Sequence, residues 1–352
     1  MVGVYSSIKV WDLIYAEFNV SQIEVLHQNL EPTGIRDYLD SIKPTITGPD
    51  QIQLFWSAGQ VIGLRDFIIE AFNEFAESIP NPVVFWIGLL GPIDHTQLKF
   101  IVSNSMYFEY EANNFWKTRP MADPVDIDYS VRKTHKFLNM GTKDYPQRKF
   151  ILSHIVNNGL LDQGYVSYAQ LGSGQMPLIY TPEQVEHITS VGNTINHLLP
   201  MPSLDNSNEW TVMPTHFMTD SYLNMITDTY YETPDGYTFL SEKVFNAIHH
   251  GQMFIMLSPP GTLAYLRSHG YQTFSDFIDE SYDDITNHYD RIRSVTRSFM
   301  SFVQRPMEEI HEIYQKCIPI LEHNRQRLTK ASFLNDLFAD VQKAISLKTI
   351  HK

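Results

Sequence analysis

Short apolar runs beside amphipathic segments constrain the fold of this chain more than any other feature. Val83–Gly88 is such a run, and the strand predicted at Gln252–Leu257 is apolar from Met253 onward. A strand that is apolar on both faces must be covered on both, which is typical of a parallel sheet flanked by helices. Amphipathic segments at Gly63–Ser78 and Ser241–His250 precede these runs. We therefore predict an α/β protein.

This alternation occurs twice along the 352 residues. A chain of this length exceeds what one hydrophobic core usually serves, so two domains are expected. After residue 284 the pattern is helical, with Pro306 separating two long helices. We predict two Rossmann-like domains of the GT-B type, at 1–125 and 132–284, followed by a helical C-terminal segment at 285–352. The other predicted elements are strands at Gln51–Trp56, Leu98–Val102, Lys136–Met140, Gly164–Ala169 and Tyr222–Thr227, and helices at 147–158 and Gly261–His269.

Composition narrows the setting of the protein. Cys317 is the single cysteine, which excludes an internal disulfide framework and a multi-cysteine metal site. No stretch approaches the roughly 20 apolar residues of a membrane helix, and the N-terminus lacks signal-peptide features. We predict a cytoplasmic protein without membrane contact.

The net charge is −14, yet the basic residues are unevenly distributed. A strongly acidic chain repels polyanions at long range, although local charge decides binding. Two interpretations of the basic stretch remain open, a solvated face or an anion-binding cleft. The basic residues concerned are Lys117, Arg119, Arg132, Lys133, Lys136, Lys143, Arg148 and Lys149.

The start of the helix predicted at Ser241–His250 is the most informative segment. Ser241 is a natural N-cap and Gly251 a natural C-terminal stop. Glu242 and Lys243 then occupy the first turn, where free N–H groups and the helix dipole attract anions. A lysine in this turn opposes the dipole unless a phosphate lies nearby. A glutamate beside it can accept hydrogen bonds from sugar or ribose hydroxyls.

The order Ser241–Lys243, Asn246-Ala247, Gly251, an apolar strand and then Pro259–Gly261 resembles the donor-binding block of the fucosyltransferase family. The likeness extends over roughly residues 135–283. It implies a nucleotide-sugar-dependent glycosyltransferase of the GT-B type with its donor in the second domain. Carried over by position, the implied donor-binding residues are Ser241, Glu242, Lys243, Asn246, Pro259, Gly261 and Thr262.

A second block agrees with this resemblance. In fucosyltransferase-like enzymes, an arginine at the start of the first helix of the donor domain contacts the diphosphate. Arg148 matches that place, with Lys149 beside it. A guanidinium can bind two phosphate oxygens at once. The resemblance thus implies a UDP- or GDP-sugar co-substrate, held by these side chains without a metal or a resident cofactor.

The catalytic base is expected in the first domain, since inverting transfer requires deprotonation of the acceptor hydroxyl. Asp94 is preferred because it follows a predicted strand. His95, Glu109 and Glu111 are the other acceptor-side candidates.

Several carboxylates and histidines are assigned structural roles. Asp126 and Asp128 have the spacing of a metal-binding pair, but we interpret them as solvated linker residues. We expect the acidic run at 279–284 to be solvent-exposed, and His249-His250 to cap a helix or face solvent.

The sequence is compatible with more than one acceptor. The run from Gly261 to Asp283 resembles phage and viral proteins of this type, which implies a bacteriophage source and a DNA-modifying activity. One acceptor would be hydroxymethylcytosine in phage DNA, reached by flipping the base outward. The alternative is a glycan or protein hydroxyl, and a second alternative is a non-catalytic nucleotide-sugar-binding module. No phosphate-binding loop of the kinase type is present. Neither sugar, stereochemistry nor oligomeric state is indicated.

Overall fold

The computed structural model describes residues 20–26, 32–46, 52–57, 66–86, 98–103, 127–141, 145–168, 183, 215–228, 231, 237–330 and 339–346. The chain forms two compact units. The first comprises Met1–Glu111, Thr233–Phe239 and Ser332–Lys352, and the second comprises Ala112–Glu232 and Leu240–Ala331.

The first unit contains a parallel sheet in the order β1-β2-β3-β4. Its strands are β1 (Val20–Leu26), β2 (Ile52–Ser57), β3 (Val83–Trp86) and β4 (Ile101–Ser103), and its helices are α1 (Pro32–Ile42) and α2 (Asp66–Ser78). A short 3-10 turn, Lys43–Thr45, follows α1. Because the strands follow one another in space as in sequence, all the crossovers run in the same direction.

Phenylalanines form the core of the first unit. Phe72 of α2 stacks on Phe85 of β3 with ring centroids 4.7 Å apart. Phe55 of β2 meets the edge of Phe72 at 4.9 Å. All three rings are buried, and such aromatic pairs stabilise beyond the area that they remove from water.

The second unit contains a parallel sheet in the order β6-β5-β7-β8. From β5 the chain moves one way to β6, and from β7 it moves the other way to β8. The carboxyl ends of β5 and β7 therefore flank a topological switch point, where open α/β sheets bind ligands. The strands are β5 (His135–Gly141), β6 (Gly164–Tyr168), β7 (Ser221–Thr227) and β8 (Met253–Leu257).

Helices cover this second sheet. They are α3 (Pro146–Asn157), α4 (Thr215–Thr219), α5 (Glu242–His249), α6 (Thr262–Ser268), α7 (His288–Val303) and α8 (Met307–Thr329), with 3-10 turns at Leu161–Gln163 and Ser281–Asp284. Helix α7 contacts α3 and β8, while α8 contacts α5, β7 and β8. The C-terminal helices thus belong to the second unit as far as Ala331.

The predicted α/β class with two parallel sheets and C-terminal helices is confirmed. The predicted strands and helices named above all lie on observed elements, with bounds shifted by up to three residues. Neither β1 nor α1 was singled out from the sequence. In the part of the chain that the structure describes, no helix is both long and apolar enough to span a bilayer.

Candidate functional site

The carboxyl edge of the second sheet is defined here as the side where β5, β7 and β8 end, together with the residues that follow them. Helices α3, α5 and α6 begin on this side, because each follows a parallel strand. The free backbone N–H groups at the N-terminus of a helix are well suited to bind an anion.

Arg148 lies in the first turn of α3 and is only 5% exposed. Its Nη2 donates a hydrogen bond of 3.2 Å to the carbonyl of Thr227, the last residue of β7. Its guanidinium also lies 5.1 Å from the ring centroid of Tyr145. The arginine therefore reaches from the helix after β5 to the end of β7, across the switch point.

Asp228 follows β7 directly and is fully buried. Its Oδ1 accepts a 2.5 Å hydrogen bond from Ser241 Oγ, and its Oδ2 accepts another from Ser258 Oγ. Burial raises the pKa of Asp228, whereas the charge of Lys243 and the two hydroxyls act in the opposite direction. One carboxylate thus fastens the ends of β7 and β8 to the start of α5.

Ser241 is the N-cap of α5, as predicted, and its Oγ accepts from the N–H of Lys243 at 3.4 Å. The next two side chains pair with each other, with Lys243 Nζ 2.9 Å from Glu242 Oε1. Their side chains are 26% and 13% exposed respectively. The start of α5 therefore presents a partly exposed ammonium that is paired with Glu242 and lies near the carboxylate of Asp228.

The N-terminus of α6 is occupied by the chain itself. Asp283 accepts hydrogen bonds from the backbone N–H groups of Leu263 and Ala264, each 2.9 Å long. Burial raises the pKa of Asp283, and these two N–H groups oppose that shift. The expectation of a solvent-exposed acidic run is wrong here, since Asp283 is buried. Glu280 is also engaged, because it accepts from Thr273 Oγ1 at 2.7 Å.

The turn before α6 has a structural explanation. Gly261 is its N-cap, with φ of 76°, a left-handed conformation that favours glycine. Thr262 is buried and donates through Oγ1 to the carbonyl of Pro259 at 2.7 Å. These three residues were assigned to the donor by resemblance, and the hydrogen bonds shown here are all made within the turn and to Asp283.

Arg291 of α7 is a buried cation that the sequence did not reveal. Its Nε donates to the carbonyl of Ser258 at 3.0 Å, and its Nη2 to the carbonyl of Tyr231 at 2.7 Å. Its Nη1 donates to the carbonyls of Ile285 and Thr286. Arg291 thereby holds the segments that leave β7 and β8, and Ser258 is held by both Arg291 and Asp228.

Two buried polar atoms flank the contact of Arg148 with Thr227. Thr227 Oγ1 and Gln147 Oε1 have no hydrogen-bond partner among the described residues, and both residues are 2% exposed. Buried polar atoms without partners are rare in folded proteins. Both residues belong to the two segments that Arg148 joins at the switch point.

The described members of the basic stretch do not gather in one place. Lys133 precedes β5, and its Nζ donates to the carbonyl of Thr219 at 2.7 Å. Lys136 Nζ caps the end of α7 at the carbonyls of Val303 and Arg305. Only Arg148 and the half-buried Lys149 lie at the start of α3. The described residues of the basic stretch therefore form neither one solvated face nor one anion-binding cleft.

The remaining predicted residues are partly described by the structure. Asn246 is buried on α5, where its carbonyl accepts from His250 Nδ1 at 2.8 Å. Asp94, His95, Glu109 and Glu111 lie outside the described residues. Asp128 is exposed and accepts from Ser130, and the described residues contain no cluster of three or more metal-ligating side chains.

Asp228 and Arg291 are the main residues that the sequence did not indicate. Asp228 could have been found, because it comes directly after the strand predicted at Tyr222–Thr227, where ligand-side residues are expected. Arg291 gave no such signal, since it lies on a helix 60 residues from its Tyr231 partner.

No protein-family model matches this sequence, and no curated protein sequence matches it. Among solved structures, it is similar to a UDP-forming alpha,alpha-trehalose-phosphate synthase from Burkholderia xenovorans, with a TM-score of 0.45 and 10% identity over 90% of this chain and 80% of that one. It is also similar to alpha,alpha-trehalose 6-phosphate synthase from Burkholderia multivorans, with the same TM-score and identity over 90% of this chain and 76% of that one.

Proposed function

We propose that this protein is a glycosyltransferase that binds a nucleotide-diphosphate sugar at the carboxyl edge of its second sheet. One observation carries the proposal. Arg148 and Lys243 stand in the first turns of two helices, and both are tied to the end of β7, one through Thr227 and the other through Asp228 and Ser241. Cations at helix N-termini beside a switch point suit a pyrophosphate.

The two anion-attracting helix starts beside β8 differ in a way that supports this location. At α6, the carboxylate of Asp283 already accepts from two N–H groups. At α5, the ammonium of Lys243 pairs with Glu242, lies close enough to Asp228 to oppose the rise in the pKa of that carboxyl, and is partly exposed. A diphosphate is therefore expected at α5, where it meets a cation, and not at α6, where it would meet a carboxylate.

The chemistry follows from these side chains. On binding, Lys243 would exchange Glu242 for a phosphate oxygen, which frees the glutamate to accept from a sugar or ribose hydroxyl. As the bond to the sugar breaks, negative charge grows on the leaving diphosphate, and a fixed cation stabilises it. Thr227 Oγ1 can donate to a phosphate oxygen, and Gln147 Oε1 can accept from a ribose hydroxyl or a base N–H.

Lys243→Gln is the direct test, because Lys243 is exposed enough to replace without leaving a buried cavity. Titration calorimetry with UDP and with GDP should show one of them binding, and at least a tenfold weaker affinity in this variant. Lys316→Gln, which removes the same charge from an exposed position on α8, is the matched control. Absence of binding to both nucleotides would favour a non-catalytic module, and equal affinity in the two variants would remove Lys243 from the site.

The acceptor is proposed at the level of a hydroxyl group, and Asp94 stays the predicted base. The implied phage source favours hydroxymethylcytosine in DNA, whereas the net charge of −14 favours a glycan or protein hydroxyl. Incubation of the protein and a radiolabelled nucleotide sugar with hydroxymethylcytosine-containing DNA, unmodified DNA and an oligosaccharide separates these acceptors. Label on the modified DNA alone would select the first.

A further inference from the structure

A separate cavity lies on the second unit between helix α7 and the segment Phe277–Asp279. Its volume is about 110 Å³, and it is open to solvent. Its lining contains Phe277, Ile278, Asp279, Arg297, Ser298, Ser301, Phe302 and Arg305. None of these residues belongs to the proposed donor site, so the cavity is a distinct feature of the fold.

The walls of the cavity are partly apolar. Ile278 and Phe302 are buried, and Phe277 is half-buried. The hydroxyl of Ser298 is used within the wall, since it donates to the carbonyl of Asp279 at 2.6 Å. An occupant would therefore gain from apolar contact on these sides.

Two of the charged groups around the cavity, Arg305 and Asp279, are already engaged. Arg305 Nε lies 3.2 Å from Glu309 Oε1, and its guanidinium lies 5.5 Å from the ring centroid of Phe302. Asp279 Oδ1 accepts from the backbone N–H of Ser281 at 3.0 Å. The Ser281 hydroxyl and N–H lower the pKa of Asp279, so this carboxylate stays ionised and held in its own turn.

Arg297 and Ser301 differ from these groups. Among the described residues, neither side chain has a hydrogen-bond or ion-pair partner, although Arg297 is close enough to Asp279 to influence its pKa. They lie one turn apart on α7 and share the cavity wall. The N–H donors of a guanidinium form a fork that matches a carboxylate. The hydroxyl one turn away can donate one further hydrogen bond.

We propose that this cavity binds the carboxylate of a short aliphatic acid, with Arg297 and Ser301 on the carboxylate and Phe277, Ile278 and Phe302 around the alkyl chain. A volume of about 110 Å³ limits the bound part of the ligand to a short chain. The apolar walls favour an alkyl carboxylate over inorganic phosphate, which has no group to place against them.

Ligand-observed NMR and calorimetry with butyrate, butyramide and inorganic phosphate test this proposal. We expect butyrate to bind with a dissociation constant on the order of 1 mM, a value that suits six non-hydrogen atoms. Butyramide, which keeps the shape without the charge, should bind at least tenfold more weakly. Absence of butyrate binding would overturn the proposal, and so would phosphate binding at least as tightly as butyrate.

Two variants locate the bound acid. Arg297→Gln should weaken butyrate binding at least tenfold, and Ser301→Leu should abolish it by filling the cavity. Both side chains are exposed, so the fold should be retained. Arg293→Gln, one turn earlier on the exposed face of α7 and outside the cavity lining, is the control and should bind like the wild type. Unchanged binding in Arg297→Gln would assign the acid to another site.

Discussion

The two edges of the second sheet use buried ionisable groups in different ways. At the carboxyl edge, Asp228 and Arg148 hold backbone and hydroxyl groups around the switch point, while Lys243 stays accessible. The amino edge, where β5, β7 and β8 begin, contains Lys133 and His250, whose groups are buried against carbonyls. Burial lowers the pKa of Lys133 to about 8 and that of His250 to about 4.

This contrast separates binding from support within one sheet. At the carboxyl edge a cation, Lys243, stays partly exposed, which suits an anionic ligand. At the amino edge burial lowers the pKa of both groups, which disfavours their charged forms and suits packing. Substitutions at the two edges should therefore differ in whether they change ligand binding or stability.

The largest effect is expected from the buried cation Arg291, in contrast to the buried cation Lys133. Arg291→Met should lower the free energy of unfolding by about 4 kcal/mol, because it leaves several buried carbonyls without donors. Lys133→Met at the amino edge should cost about 1 kcal/mol or less, since one carbonyl loses its donor and a desolvated ammonium is removed. Urea denaturation of both variants measures this difference. Equal losses would show that the two cations do not differ as described.

Asp228 should rank next. Asp228→Ala removes the acceptor of both Ser241 and Ser258 and should cost about 3 kcal/mol in unfolding free energy. Asp228→Asn should recover most of that loss, because its amide can accept from one hydroxyl and donate to the other. Thermal and urea denaturation compare the two variants. If Asp228→Asn lost as much unfolding free energy as Asp228→Ala, the charge of Asp228, and not its hydrogen bonding, would stabilise this edge.

The amino edge should determine much of the loss of unfolding free energy at acidic pH. A histidine with a folded-state pKa near 4 stabilises the fold above its unfolded pKa of about 6.5, and this stability is lost as the pH falls toward 4. At pH 5, His250 alone should reduce the unfolding free energy by about 2 kcal/mol relative to pH 7. In His250→Gln, which keeps a donor for the Asn246 carbonyl, this part of the decrease should disappear.

Denaturation of both proteins at the two pH values checks this prediction. His249 contributes its own decrease in unfolding free energy at low pH in both proteins, because burial lowers its pKa to about 3. The same decrease in wild type and variant would show that His250 is protonated in the folded protein.

The smallest difference is expected from two glycines at either end of β8. Gly251 and Gly261 have φ of 61° and 76°, so alanine at either costs about 1 kcal/mol in backbone strain. At Gly251 an added Cβ would also lie 2.9 Å from Ile127 Cδ1, whereas nothing lies within 4 Å at Gly261. Gly251→Ala should therefore be less stable than Gly261→Ala by about 1 kcal/mol. Thermal denaturation that ranks them in the reverse order would contradict this reasoning.

Local pattern was enough to predict much of this protein. The apolar runs and amphipathic segments indicated the strands and helices of both sheets, since burial on one or two faces leaves a periodic trace. Ser241 and Gly251 could be placed at the ends of α5 because capping and left-handed backbone depend on neighbouring residues alone.

Only the tertiary structure decided which charges meet. Nothing local distinguishes Asp283, which fills the start of α6 from 20 residues away, from an exposed carboxylate. Lys133 and Arg148 belong to one basic stretch, yet they go to opposite edges because β5 runs between them. Local sequence determines how a segment folds, whereas the partner of a charged side chain depends on which distant segments the sheet brings beside it.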